Sequence, residues 1–252
     1  MRSAAERSSA GPPSLLYLPE LRASATRFTL AGDEAHYAAR VVRVRDGDRV
    51  RATDGAGRIA TLRVERVRPA LELAIEHAED VPRPARACIL CGAPEGERGD
   101  WLVEKLAELG VTELVPVDTE RARWPGRARD ARWERLAVAA LRQSRSAWRL
   151  ELCAPVQLAE ALRGARTGIR WLADPAGAAA DRSAIAQGEP VSAAVGPAPG
   201  FTDRERNALL ECGFVPVRLA AQRLRTETAA VAVAALWAAA RSAAGPGPGA
   251  PA

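Results

Sequence analysis

Residues 193–235 read AAVGPAPGFTDRERNALLECGFVPVRLAAQRLRTETAAVAVAA, and the reading of this stretch decides the fold. An apolar run, Val191 with Ala193–Val195, ends in the loop Gly196-Pro197-Ala198-Pro199-Gly200. Thr202-Asp203-Arg204-Glu205 has the spacing of a capping box, in which a threonine hydroxyl and a glutamate carboxylate satisfy free N–H groups where a helix starts. A short strand over Phe214–Leu219 leads to a second irregular loop, and Arg225-Thr226-Glu227-Thr228 opens an alanine-rich helix. Two strands whose carboxyl ends carry loops, each loop opening a helix, match the way open α/β sheets hold small ligands. Spacing alone favours an ordinary strand–loop–helix connection, so the residue types have to decide.

Outward from this stretch the α/β alternation continues. Ala87–Cys91 reads as a buried strand, Trp101–Leu109 as a helix closed by Gly110, Leu114–Val117 as a strand and Ala131–Arg145 as a long helix. Gly168–Ala173 and Val191–Val195 join Phe214–Leu219 in a mostly parallel sheet. Val81-Pro82-Arg83-Pro84 separates this part, residues 82–243, from a β-rich part over residues 15–81. There Arg49–Thr53, Arg58–Val67 and Leu71–His77 alternate as strands, Asp54-Gly55-Ala56-Gly57 supplies a hairpin turn, and one short helix lies near Asp33–Arg40. A small barrel is the expected arrangement. Arg40, Arg43, Arg45, Arg49 and Arg51 are close in sequence, and strand alternation puts Arg49 and Arg51 on one face, available to phosphate. Residues 1–14 and 244–252 are small and Pro/Gly-rich and read as disordered tails.

Of the 36 basic residues only Lys105 is a lysine, and the formal net charge is +5. An arginine-rich, basic chain favours an anionic partner, although abundant alanine points to genome composition as part of the cause. The N-terminus has no apolar core of a secretory signal, and the alanine-rich run Ala229–Ala240 is too short to cross a membrane. A soluble cytoplasmic protein is expected. Cys88 and Cys91 form a CxxC, but on a strand their side chains face opposite ways. With His36 and His77 the only histidines, no metal site is expected, and the four cysteines read as apolar residues.

The opening stretch resembles the C-terminal signature of the RsmE family, approximately GPEGGhs-x-x-E followed by LG-x-x-hLRTETA, with h apolar. Gly196, Pro197, Gly200, Glu205, Leu219, Leu224, Arg225, Thr226, Glu227, Thr228 and Ala229 fall on it. Ala198, Pro199, Ala220 and Gln222 depart from it. Lys105-Leu106-Ala107-Glu108-Leu109-Gly110-Val111 is similar to the family's K-x-x-ELGV, and Thr119-Glu120-Arg121 to its TER. Arg132-Trp133 and Gln143-Ser144 resemble its RW and EQSGR, with Arg142 for glutamate and Arg145-Ser146 for Gly-Arg. His36–Asp48 resembles its N-terminal H-x-x-x-VLR and GD pattern, so the likeness covers roughly residues 16–242.

The resemblance implies a fold that periodicity does not. It implies an N-terminal PUA-like β-barrel that binds RNA and a C-terminal SPOUT α/β domain with a trefoil knot, a topology chain physics alone would reject. It implies methylation of N3 of a uridine in 16S small-subunit ribosomal RNA, by a homodimer using S-adenosyl-L-methionine, on free RNA or the assembled subunit. Val195, Gly196, Pro197, Gly200, Leu219, Ala220, Leu224, Thr226 and Thr228 are the expected cofactor residues. Arg225 is the leading catalytic candidate, with Glu227 orienting it or acting as a base; Arg40, Arg43, Arg142 and Arg145 are expected to meet RNA. The four departures motivate an alternative: a catalytically degenerate RNA-binding homologue that has lost the cofactor. Pro199 lacks an N–H and Ala220 adds a methyl, which matters if either position needs φ > 0.

Overall fold

The computed structural model describes residues 15–22, 26–125, 131–164 and 168–243. The expected tails lie outside the described residues. The chain divides into two compact units: one runs to Pro82 and also takes in Arg145–Trp148, and the other holds Arg83–Ser144 and the chain from Arg149. Arg145–Trp148 therefore leave the part to which sequence order assigns them.

In the first unit β1 (Leu15–Tyr17), β2 (Arg27–Leu30), β3 (Arg49–Thr53), β4 (Arg58–Arg66) and β5 (Leu71–Asp80) form one sheet in the order β1-β3-β4-β5-β2. The pairing path has β1 and β2 at its ends, so hydrogen bonding among the described residues gives a five-stranded sheet, the β-rich unit expected. Its apolar face encloses Leu16, Leu18, Leu21, Val50, Leu62, Val64 and Leu73. The short helix is α1 (Gly32–His36), continued by a π-helical stretch, Tyr37–Val42. Arg145–Trp148 pack against the β3–β4 turn: Gly57 N–H donates to the Ala147 carbonyl at 3.0 Å, and a Cβ on Gly57 would lie 2.4 Å from the Trp148 indole. Gly57 also has φ +106°, so only glycine serves there.

The second unit follows the α/β reading. Its elements are β6 (Ala87–Gly92), α2 (Gly99–Glu108), β7 (Glu113–Asp118), α3 (Ala131–Ser144), β8 (Glu151–Leu152), β9 (Val156–Gln157), α4 (Leu158–Gly164), β10 (Ile169–Ala179), α5 (Ser183–Ala186), β11 (Val191–Val195), α6 (Asp203–Glu211), β12 (Val215–Arg218) and α7 (Thr226–Ala243). The sheet order is β12-β10-β11-β6-β7-β8, with β9 also on β7, and every pair is parallel.

A parallel sheet is buried on both faces, which is why these strands are apolar runs rather than alternations. Ile89, Cys91, Ala193, Val195 and Trp171 face one core with α2, α3 and α7; Cys88, Leu90, Ala194 and Leu172 face the other with α4 and α6. Cys88 and Cys91 thus point to opposite faces as expected, and burial pushes both thiols up. The alanines of α7 cost little side-chain entropy and let the helix lie close to the sheet, where Ala230, Val233, Ala234 and Trp237 are buried.

Candidate functional site

The order β12-β10-β11 brings three parallel strands together with their carboxyl ends side by side, and a cavity of about 380 Å³ opens there. Val195, Gly196, Pro197, Gly200, Leu219, Ala220, Leu224 and Thr226 line it. Thr228 does not; its side chain is exposed on the first turn of α7. Ala198, Gln222, Arg223 and Ala229 line it too, and so do Ala173, Asp174, Pro175 and Phe201, which the sequence reading does not single out. Ala173, Asp174 and Pro175 had a signal: an apolar strand running into an Asp-Pro pair ends in a loop. Here β10 continues after a bulge, its register shifting between Ala173 and Ala178, and Asp174 and Pro175 within it line the cavity. Asp174 is held there by Arg206 of α6, at 3.0 Å.

The loop after β11 is fixed by its carbonyl groups. Thr226 Oγ1 donates to Gly196 O at 2.9 Å, Gly200 N–H to Pro197 O at 2.7 Å, an Arg223 Nη2–H to Ala198 O at 3.0 Å and an Arg121 Nη1–H to Pro199 O at 2.9 Å. The left-handed position is Gly200, φ +76°, which lies on the family pattern. Ala198, Pro199 and Ala220 all have φ outside that region, so the departures fall where an ordinary residue is accommodated. Gly92 packs against this loop, where a Cβ would stand 2.5 Å from Pro197 N.

The TER tripeptide belongs to this loop. Thr119 Oγ1 donates to the Ala122 carbonyl at 3.0 Å, Glu120 N–H to Glu205 Oε1 at 2.8 Å, and Arg121 reaches Pro199. Glu205 closes the capping box with its other oxygen, accepting from Thr202 N–H at 2.8 Å while Thr202 Oγ1 accepts from Glu205 N–H at 3.2 Å. One buried carboxylate thus joins the TER segment to the start of α6. Other family-like letters build the core instead: Leu106 and Val111 are buried, and Arg132 and Trp133 both engage Asp100 on the first turn of α2.

A second cavity of about 280 Å³ shares Ala198, Arg223, Leu224 and Thr226 with the first and adds Glu95, Arg98, Arg225 and Glu227. Arg225 is exposed. Glu227 does not pair with it: the carboxylate, 4% exposed, accepts from Arg98 Nη1–H at 2.7 Å. The expected partnership of Glu227 with Arg225 is corrected accordingly. Arg98 sits in the loop before α2, and its contact with Glu227 spans too much sequence for a local signal to reveal.

The expected RNA-facing arginines are spread. Arg40 and Arg43 are exposed in the first unit, and Arg142 lies in the last turn of α3. Arg43 and Arg145 have φ of 60° and 55°, the two non-glycine residues with positive φ among the described residues. Such backbone costs of the order of 1 kcal/mol or more and collects at functional positions. Arg49, expected free for phosphate, is bonded to Glu76 at 2.6 Å, and that bond holds the Glu76 carboxyl below its ordinary range. Among the described residues no three His, Cys, Asp or Glu side chains gather as a metal-binding set, and no helix is long and apolar enough to cross a membrane.

Residues 81–238 match a family described as an RNA methyltransferase domain, and residues 30–74 one described as an RNA methyltransferase PUA domain. The chain is 32% identical over 231 residues to a Mycobacterium bovis ribosomal RNA small subunit methyltransferase E, covering 86% of this chain and 87% of that protein. Its namesake from Synechocystis is 30% identical, over 85% of this chain and 73% of the relative. Among solved structures, ribosomal RNA small subunit methyltransferase E from Neisseria gonorrhoeae bound to S-adenosyl methionine is 27% identical with a TM-score of 0.76, covering 89% of this chain and 96% of the other. A Legionella pneumophila structure in complex with bound SAM is 26% identical with a TM-score of 0.78, covering 91% and 98%.

Proposed function

The chain belongs to the RNA methyltransferase family, and from that membership we propose that it methylates N3 of a uridine in 16S small-subunit ribosomal RNA with S-adenosyl-L-methionine. The observation that carries this reading is the larger cavity with its pinned loop. Its volume is within the range of small-molecule sites, roughly 300–1,000 Å³. Its walls suit the group: Val195, Pro197, Leu219 and Leu224 offer apolar contact to a purine, and the Asp174 carboxylate offers a partner for a cationic end. Val195, Gly196, Pro197, Gly200, Leu219, Ala220, Leu224 and Thr226, which line the cavity, would hold it.

When bound, the cofactor supplies a methyl group on a positively charged sulfur, so the acceptor nitrogen has to arrive without its proton. Arg225, which lines the adjoining cavity, stabilises the anionic base in this reading, and Glu227, bonded to Arg98, adds a fixed charge to the same cavity. Arg40, Arg43, Arg142 and Arg145 hold RNA through phosphate, for which a guanidinium fork is well suited. The finer topology belongs to the same reading: a SPOUT domain with a trefoil knot, working as a cytoplasmic homodimer. The degenerate alternative loses its motive, because the departing residues leave the loop turn and its carbonyl bonds in place.

Calorimetric titration with S-adenosylmethionine, followed by methylation of small subunits and mass spectrometry of the nucleosides, tests the proposal. Micromolar affinity, about −8 kcal/mol, and 3-methyluridine are expected. Folded protein that binds RNA but no cofactor would restore the degenerate alternative.

A further inference from the structure

The two cavities meet along Ala198, Arg223, Leu224 and Thr226 but differ in character. The larger is walled mostly by apolar side chains and backbone; the smaller collects the guanidinium groups of Arg98, Arg223 and Arg225 against the carboxylates of Glu95 and Glu227. Cations outnumber anions there, which favours an anionic guest.

The three arginines are not equivalent. Arg223 is tied to the Ala198 carbonyl, and the exposed Arg225 guanidinium makes no hydrogen bond or ion pair to other described residues. Arg98 alone is gripped by a buried charge. Glu227 is held in the first turn of α7, and its 2.7 Å bond to Nη1 fixes the guanidinium while Arg98 stays 47% exposed. A charge-assisted bond of this length is strong and directional, and it uses only part of the donor fork. The remaining N–H groups belong to a guanidinium already fixed at the cavity wall, and a donor that needs no reorganisation stabilises developing charge most.

We propose that Arg98 is a catalytic residue that donates to a ring carbonyl of the acceptor uracil, and that Glu227 is the positioning residue that holds it. This rests on the methylation proposed above. The uracil N3–H proton passes to water, and the negative charge left on the ring is shared with its O2 and O4, where Arg98 meets it. Glu227 stays bonded to Arg98 and takes no proton from the base. The second cavity is thus the acceptor-base subsite, beside the cofactor cavity and separated from it by Ala198 and Arg223.

The test compares Arg98→Met, Arg98→Lys, Glu227→Gln and the double variant Arg98→Met/Glu227→Gln. In the double variant no buried charge is left unpaired, so it guards against simple misfolding. Each is measured for melting temperature, S-adenosylmethionine affinity and single-turnover methylation of small subunits from neutral to alkaline pH. Arg98→Met and the double variant are expected to slow transfer about 100-fold at neutral pH, with cofactor affinity within about twofold of wild type. The deficit should shrink as rising pH ionises the base unaided. Arg98→Lys should recover part of the rate, and Glu227→Gln should show a smaller deficit with the same pH dependence. The proposal is overturned if a folded double variant transfers at the wild-type rate, if the deficit is equal at every pH, or if it follows lost cofactor affinity. A wild-type protein that binds no cofactor or methylates no subunit would instead overturn the underlying reading, and this proposal with it.

Discussion

Gly92 illustrates how little of a site a single residue announces. It ends β6 and carries no motif, yet a Cβ there would stand 2.5 Å from Pro197 N, 2.6 Å from Pro197 Cδ and 3.0 Å from the Gly196 carbonyl carbon. Two of those neighbours are backbone and cannot turn aside. Gly92→Ala is therefore expected to displace the loop, to cost about 1–3 kcal/mol of stability and to weaken S-adenosylmethionine binding at least about tenfold, read by thermal melting and calorimetry. The cavity-lining residues were legible because they sit in short runs of letters: of the nine expected from the sequence to meet the cofactor only Thr228 fails to line the cavity, its side chain facing out where its neighbours face in. Arg98 and Arg121 were harder. Each acts on a residue far along the chain, Glu227 and Pro199, and no local pattern carries such a pairing.

Among the elements, α6 was the most readable, because a capping box is a local code. Thr202→Ala removes the acceptor for Glu205 N–H and is expected to lower stability by about 1 kcal/mol in chemical denaturation, while leaving cofactor affinity nearly unchanged. What the code does not tell is that Glu205 also takes the N–H of Glu120 and so ties α6 to the segment after β7. Strand ends were less readable. A strand over Gly168–Ala173 was expected, but β10 runs to Ala179, because a bulge interrupts the apolar pattern without ending the pairing. The two-residue strands β8 and β9 are too short to have any period. The helix near Asp33–Arg40 begins as expected at Gly32, but the chain widens into a π-turn from Tyr37, which hydrophobic spacing does not signal.

For the whole molecule, the alternation of apolar runs and helical segments gave the α/β class, and strand order had to come from elsewhere. The order β12-β10-β11-β6-β7 joins segments distant in sequence, and apolar strands buried on both faces carry no label of their neighbours. The same limit hid the passage of Arg145–Trp148 into the first unit. Trp148→Ala would empty the space over Gly57 and remove the indole bond to the Pro82 carbonyl. It is expected to cost about 2 kcal/mol or more, seen as an earlier unfolding transition of the first unit by hydrogen exchange at β3 and β4. That passage also sets an order of events in the cell. A nascent chain emerges with its N-terminus leading, and β1 to β5 are made well before the residues that cap their hairpin. Translation has to deliver β6, α2, β7 and α3 before Trp148 can settle on Gly57. The smaller unit is made before its partner and cannot be first to finish, because it needs a segment embedded in its successor.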